Sequence, residues 1–359
     1  MTVHDVVSVS LKGQFAKRMV AWQQAHGRHS LPWQNTRDPY RVWLSEIMLQ
    51  QTQVTTVLGY YARFLERFPA VADLATAPLD DVLALWSGLG YYSRARNLHR
   101  CAQDVVSLHG GQFPHTAQLL QSLPGIGPST AAAIASFCFA ERVAILDGNV
   151  KRVLTRLLAF ADDLSSSKNE QQLWLIANDL LPEINLAQTM PRYTQAVMDL
   201  GATLCTSRKP QCLICPVQNL CQSFAEGQPE KYPVKTKKLK RSVERPSLLW
   251  AERSDGAVWL ERRPAKGIWG GLYCFPMFCD EAALLAYLPQ RSRARIQHLA
   301  TVKHMLTHKD MHLSPSKVEF SVSQKMPFSD DSSQGGWFLA DEWPKLGLPA
   351  PIRKLLENE

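Results

Sequence analysis

No stretch of this 359-residue chain reaches the roughly 18 apolar residues that a membrane-spanning helix needs. Its first fifteen residues, MTVHDVVSVSLKGQF, lack the charged-then-apolar order of a secretory signal. The expectation is therefore a soluble, cytoplasmic protein with no membrane partner. Repeats and low-complexity tracts are missing as well, which leaves an ordinary globular chain. Charged residues are only 20% against 45% apolar residues, a balance that excludes wholesale disorder and allows a large core. The length suggests two domains rather than one, and nothing indicates an obligate oligomer, so a monomer is the default.

The net charge of +8 is concentrated rather than spread. Residues 1–226 carry 19 basic and 17 acidic side chains, whereas residues 227–246 carry 7 and 2. That short run, ending YPVKTKKLKRSVERP, reads either as a solvated linker or as a strap for phosphates, because basic side chains displace counterions from DNA. The two readings are compatible.

Upstream of the basic run, apolar residues recur at helical spacing. From Pro39 to Phe68 the series Val42, Leu44, Ile47, Met48, Val54, Val57, Leu58, Tyr61 and Leu65 follows that period, with a break near Gln53. Further helices are predicted at Leu79–Ser87, Arg94–Leu108, Thr116–Leu123, Ser129–Phe139, Val150–Phe160, Glu170–Leu181 and Tyr193–Leu200, separated by glycine-rich turns. Downstream, Leu248–Trp250, Ala257–Glu261, Val318–Val322 and Gly336–Leu339 look like short strands, and Glu281–Leu288 and Ile352–Glu357 like helices. The expected organisation is a mainly α region at 1–226, a basic linker at 227–246 and an α+β domain at 247–359.

Four of the eight cysteines fall within seventeen residues, as C-x6-C-x2-C-x5-C at Cys205, Cys212, Cys215 and Cys221. Such clustering in a cytosolic chain favours metal over disulfides. Four thiolates suit either zinc or an iron–sulfur cluster, and the single Cys-x2-Cys knuckle only weakly disfavours zinc. Cys101, Cys138, Cys274 and Cys279 are scattered and read as small apolar fillers.

Two features bear on phosphate and proton chemistry. The string Leu123-Pro-Gly-Ile-Gly-Pro-Ser-Thr-Ala131 joins two helical patterns. Gly125 and Gly127 permit positive φ and close backbone approach, and the free N–H groups opening the next helix suit a phosphate oxygen. A tight turn that touches nothing would look the same. Glu46 sits among Leu44, Ile47, Met48 and Leu49, where desolvation would raise its pKa. Asp147 ends an apolar run just before a helix, a natural N-cap position that could also face a developing cation.

Longer strings narrow these readings. The Leu123–Ala131 turn and Val143-Ala-Ile-Leu-Asp-Gly-Asn-Val-Lys-Arg152 resemble the helix-hairpin-helix DNA glycosylase superfamily. Trp43–Val54, Leu31-Pro-Trp33, Leu85–Asn97 and Ala196–Ala202 resemble the adenine DNA glycosylase family (MutY type). The resemblance implies a helical glycosylase region with a hairpin at about 116–139 and a [4Fe–4S] loop at 205–221, held by Cys205, Cys212, Cys215 and Cys221. It implies double-stranded DNA with a mispaired adenine as partner. It places Gln51, Leu89 and Tyr91 at the DNA with Gly125, Gly127 and Ser129, and Trp33, Gln34 and Gln195 near the adenine. A core role for Leu89 and Tyr91 is equally natural from composition. His29 stands where relatives often have Lys or Arg, and no contact is assigned to it. Arg208 and Lys209, on the cysteine loop, are expected near DNA.

The implied reaction suits the two carboxylates. Adenine is a poor leaving anion and must be protonated, while the sugar becomes oxocarbenium-like and needs a negative charge. Glu46 would be the acid and later activate water, and Asp147 the stabiliser or transient nucleophile. A bifunctional glycosylase/lyase of the endonuclease III type is the main alternative. Those relatives carry a Schiff-base lysine in the hairpin where this chain has Ser129, so a mainly monofunctional enzyme leaving an abasic site is expected. A noncatalytic iron–sulfur DNA-binding sensor would not need both carboxylates.

The strings Val258–Pro264 and Gly267–Pro276 resemble the Nudix-like recognition domain of the family. No acidic box follows Pro276, so recognition of 8-oxoguanine without pyrophosphohydrolase activity is expected. The family's Phe-Ser-His loop is here Leu306-Thr307-His308, which keeps the hydroxyl and imidazole but not the aromatic. Thr307 and His308 are thus the expected lesion readers. His304, His308 and His312 also invite a metal reading, which no neighbouring cysteine favours.

Overall fold

The computed structural model describes residues 9–236, 240–321 and 335–358, with no side-chain description for residues 9 and 10. Residues 1–8 of the amino-terminal stretch, 237–239 of the basic run and residue 322 of an expected strand lie outside that set. Two compact units divide the chain, each drawing on two stretches: 1–51 with 101–238, and 52–100 with 239–359. The breaks at 51 and 100 fall where composition shows no boundary.

The first unit is helical. Its core joins Phe15 and Met19 of the helix Val9–His26 to Val153, Leu154 and Leu157 of Gly148–Leu157, Leu173 and Ile176 of Ser167–Asp179, and Met190, Tyr193 and Val197 of Leu186–Thr203. The hairpin helices are Ala117–Leu120 and Pro128–Phe139. The helix expected at Tyr193–Leu200 is longer, Leu186–Thr203, and runs through Pro191. A proline removes one donor and orphans the carbonyl four residues back; Arg37 donates to that carbonyl, of Ala187, at 3.2 Å.

The second unit combines Val54–Arg67, Val71–Thr76 and Leu79–Trp86 with a mixed sheet and the helices Glu281–Tyr287, Gln290–Arg293 and Ala350–Glu357. The strand Lys309–Phe320 pairs in parallel with Ser247–Arg253 and antiparallel with Val302–Met305. Val258–Arg262 pairs antiparallel with Gly335–Phe338. Leu249, Ala251, Trp259, Leu284, Val318 and Phe320 form its core. The observed fold is a mainly α region with a hairpin and cysteine loop, followed in the chain by an α+β domain. Among the described residues no helix is long and apolar enough to cross a membrane.

Candidate active site

Asp38 opens the helix Pro39–Leu49 by accepting from the Tyr40 N–H at 2.9 Å, and Pro39 occupies the first turn, where a missing N–H costs nothing. Val42, Trp43, Leu44, Ser45, Ile47 and Met48 are all buried. A helix apolar on nearly every side is a core helix, so its one carboxylate, Glu46, is drawn out of water. Part of the Glu46 surface stays accessible. Its carboxyl is nevertheless enclosed enough that desolvation raises the pKa from 4.5 to about 8, with the charge of Asp147 as the second cause.

Asp147 holds extended backbone and caps the helix Gly148–Leu157, accepting from the Val150 N–H at 2.7 Å. Burial pushes its pKa up, while the N–H groups of Val150 and Asn149 and the charges of Arg152 and Lys151 pull the other way. Asp147 is thus the better-supported anion of the pair and Glu46 the better proton store.

The hairpin ties the two acidic segments together. Ser129 Oγ accepts from the N–H of Leu146, next to Asp147, at 3.1 Å. Thr130 Oγ1 accepts from Gln50 Nε2, one turn beyond Glu46, at 3.3 Å. Ser129, expected at DNA, therefore also has a structural bond. Of the two glycines expected to exploit positive φ, only Gly125 does, at 77°. Gly127 is the extended N-cap of Pro128–Phe139, and a Cβ there would meet nothing within 4 Å. The space beside its Cα is therefore open.

Trp33 is buried. Gln34 accepts from the Leu31 N–H at 3.4 Å, and its amide nitrogen is buried with no hydrogen-bond partner among the described residues. Gln195 donates to Asp199 at 2.9 Å. Asp199, itself fully buried, also accepts from Arg28 Nε at 2.6 Å and from the Arg28 backbone at 3.0 Å. It anchors the segment leading to Trp33 and Gln34. Asp199 was not singled out from sequence; its signal is a carboxylate placed among Ala196, Val197 and Leu200 on a buried face.

Gln51 and Tyr91 both hold left-handed backbone, with φ of 57° and 49°, and both are exposed. Such strain in non-glycine residues concentrates at functional sites. Leu89, expected at the DNA with them, is 6% exposed, so Tyr91 is the more exposed group of its turn. In the same unit the Tyr91 hydroxyl hydrogen-bonds Thr307 Oγ1. Thr307 and His308 lie exposed on the turn between Val302–Met305 and Lys309–Phe320, which is closed by Leu306 N–H to Lys309 O at 2.8 Å.

Buried Arg156 organises the cysteine loop. Its Nη1 donates to Cys205 Sγ at 3.4 Å and to Thr206 O at 2.7 Å, and Nη2 donates to Ser207 O at 3.1 Å. Arg152 donates to Cys205 O and Gly201 O, each at 2.7 Å. The four thiols are near enough to interact through their charges. Among the described residues no three His, Cys, Asp or Glu side chains converge on a single ion. A cubane is held at its corners rather than at one ion, so four thiols on one short loop, with the Arg156 guanidinium donating to Cys205, fit that group. Exposed Arg208 and Lys209 extend from the same loop.

Comparison with known proteins agrees with this arrangement. Residues 44–178 match the HhH-GPD superfamily of base excision DNA repair proteins. Residues 205–221 match the iron–sulfur binding domain of endonuclease III, and the cofactor of the four cysteines is a [4Fe–4S] cluster. Residues 248–358 match the Nudix domain. Among solved structures, a thermostable thymine-DNA glycosylase is 27% identical with a TM-score of 0.52, over 60% of this chain and 97% of that one. An adenine DNA glycosylase of Mus musculus is 36% identical over 98% of this chain and 78% of its own. One from Buchnera aphidicola is 35% identical over 95% of both chains. By that likeness along nearly its whole length, the chain belongs to the adenine DNA glycosylase family.

Proposed function

We propose that this glycosylase acts as a monomer on double-stranded DNA, hydrolysing the N-glycosidic bond of adenine mispaired with 8-oxoguanine or guanine and leaving an abasic site. The observation that carries this reading is the Glu46–Asp147 pair, with the Glu46 proton held to about pH 8. Glu46 gives its proton to N7 of the extruded adenine. The C1′–N9 bond breaks with its electron pair leaving on the base, and Asp147 faces the oxocarbenium-like sugar. Glu46, now a carboxylate, takes a proton from the water that adds to C1′. Both carboxylates come from one chain, so no second copy is required.

The surrounding residues take supporting roles. The orphaned amide donor of Gln34 suits an acceptor on the base, with Trp33 and Gln195 beside it in the proposed pocket. Gln51 and Tyr91 wedge the stack from which the base leaves, and the backbone at Gly125, Gly127 and Ser129 takes a phosphate. Thr307 and His308 read the lesion. In this organisation residues 1–226 catalyse, 227–246 link and 247–359 recognise. The cluster, when bound, cross-links the 205–221 loop; Arg152 and Arg156 seat that loop against the helix that Asp147 opens. A lyase route finds little support: Ser129 brings no amine, and Lys151 is paired with Glu170 at 2.7 Å.

The test is a duplex with adenine opposite 8-oxoguanine, incubated with cluster-loaded protein and divided with and without hot alkali. Scission of the adenine strand only after alkali, lost in Glu46→Gln, is expected. Strand scission without alkali would instead establish a lyase, and no adenine release from folded protein would reject the substrate.

A further inference from the structure

The turn that presents Tyr91 is tightly wound, with two glycines taking positive φ freely and Tyr91 carrying the strain. Gly88, Gly90 and Tyr91 hold φ of 101°, 72° and 49°, three left-handed residues within four positions. Neighbouring helices supply some of its support. Tyr60 donates to Ser87 O at 2.7 Å, Trp86 Nε1 to Gly90 O at 3.1 Å, and Arg94 to the carbonyls of Leu89 and Gly90, each at 3.2 Å.

Further support comes from more than 250 residues away. The Leu348 carbonyl accepts from Ser87 Oγ at 3.0 Å and from the Tyr92 hydroxyl at 2.9 Å. Arg353 Nε donates to Ser87 Oγ at 3.1 Å, while its Nη2 donates to Leu346 O at 3.1 Å and Pro344 O at 3.2 Å. One planar guanidinium thus joins the turn to the segment that grips it, a geometry that a single ammonium reproduces poorly. The fit is close: Leu348 and Ile352 are fully buried, and a Cβ on Gly347 would stand 2.6 Å from Leu83 Cβ.

We propose that residues 346–353 are a splint for base extrusion, with Arg353 as its positioning residue. The splint holds the 87–92 turn so that Tyr91 meets the DNA already shaped as a wedge, and no part of it need touch DNA. The inference rests on the role given to Tyr91 above.

The first test needs no DNA. Hydrogen exchange in the cluster-loaded protein should show the 86–93 amides of Arg353→Ala exchanging about tenfold faster than the parent, a local opening, with Arg353→Lys between them. Amides of 302–313 and of the Glu46 helix should be unchanged. Unaltered exchange at 86–93 overturns the splint whatever the activity. The second test separates extrusion from chemistry. Single-turnover excision by Arg353→Ala should fall about tenfold on a fully paired duplex, and should recover when mismatched neighbours already unstack the adenine. Equal loss on both duplexes would make the role merely structural and overturn the proposal. If Arg353→Ala loses its cluster absorbance, Ser87→Ala carries both tests. A parent that releases no adenine fails the substrate assignment, and the exchange result still decides the splint.

Discussion

In the unit built from 1–51 and 101–238, Glu46, Asp147, Asp199 and Arg156 act from buried or half-buried positions. In the unit built from 52–100 and 239–359, Tyr91, Thr307 and His308 stand exposed on turns. The difference follows from what each proposed task needs. Holding a proton on a carboxyl near neutral pH needs desolvation and a neighbouring charge, which only an enclosed site supplies. Reading and wedging DNA needs exposed groups, and these keep their geometry only if the backbone beneath is fixed. The first unit therefore invests in burial, and the second in hydrogen bonds that brace turns.

Substitutions can break that contrast. Glu46→Gln removes the proton donor and should lower single-turnover excision by roughly 10²–10⁴-fold while duplex binding persists. Asp147→Asn should cost about 10²–10³-fold in the same assay. Asparagine caps helices about as well as aspartate, so the thermal midpoint should hardly move; a large drop would assign Asp147 to folding rather than chemistry. Arg156→Ala strips charged donors from three carbonyls and a thiol, and should destabilise the first unit by about 2 kcal/mol or more and speed bleaching of the cluster by a chelator. Exchange protection at 86–93 should not follow it. Thr307→Val removes a single exposed hydrogen bond to Tyr91, worth about 1 kcal/mol, and should reduce the preference for 8-oxoguanine over guanine about fivefold in competition binding. A Thr307→Val loss as large as that of Glu46→Gln would erase the distinction between the units.

Much of the first unit is legible from local pattern. The break expected near Gln53, found between Leu49 and Val54, the hairpin helix expected at Ser129–Phe139, found at Pro128–Phe139, and the cap at Asp147 all follow from spacing, glycine and capping residues. So does the apolar setting of Glu46. The helix expected at Tyr193–Leu200 runs back through Pro191, and the carbonyl that this proline leaves open is met by Arg37, 150 residues distant, which no window reveals. The same limit hides the Ser129 and Thr130 bonds to the acidic segments, the Asp199 anchor and the Arg353 splint. Each joins residues that carry no shared period. In the second unit the strand Lys309–Phe320 is much longer than the Val318–Val322 run expected for it. Its first half alternates in burial, with Met311 and Leu313 inward, but two apolar residues among Lys309, Asp310 and His312 make a run too short to stand out in the sequence. Leu89, placed at the DNA by resemblance and equally natural as core from composition, is buried in the free protein.

The central claim, that Glu46 delivers a proton held by burial and by Asp147, is tested most directly by the pH dependence of kcat/KM for adenine release. Raised to about 8, Glu46 is protonated and active below that pH and loses its proton above it. The profile should therefore stay level through neutrality and fall about tenfold per pH unit beyond roughly pH 8, with that limb absent from the residual activity of Glu46→Gln. A rate that stays constant or rises between pH 8 and 9.5, in protein that remains folded, would contradict the assignment.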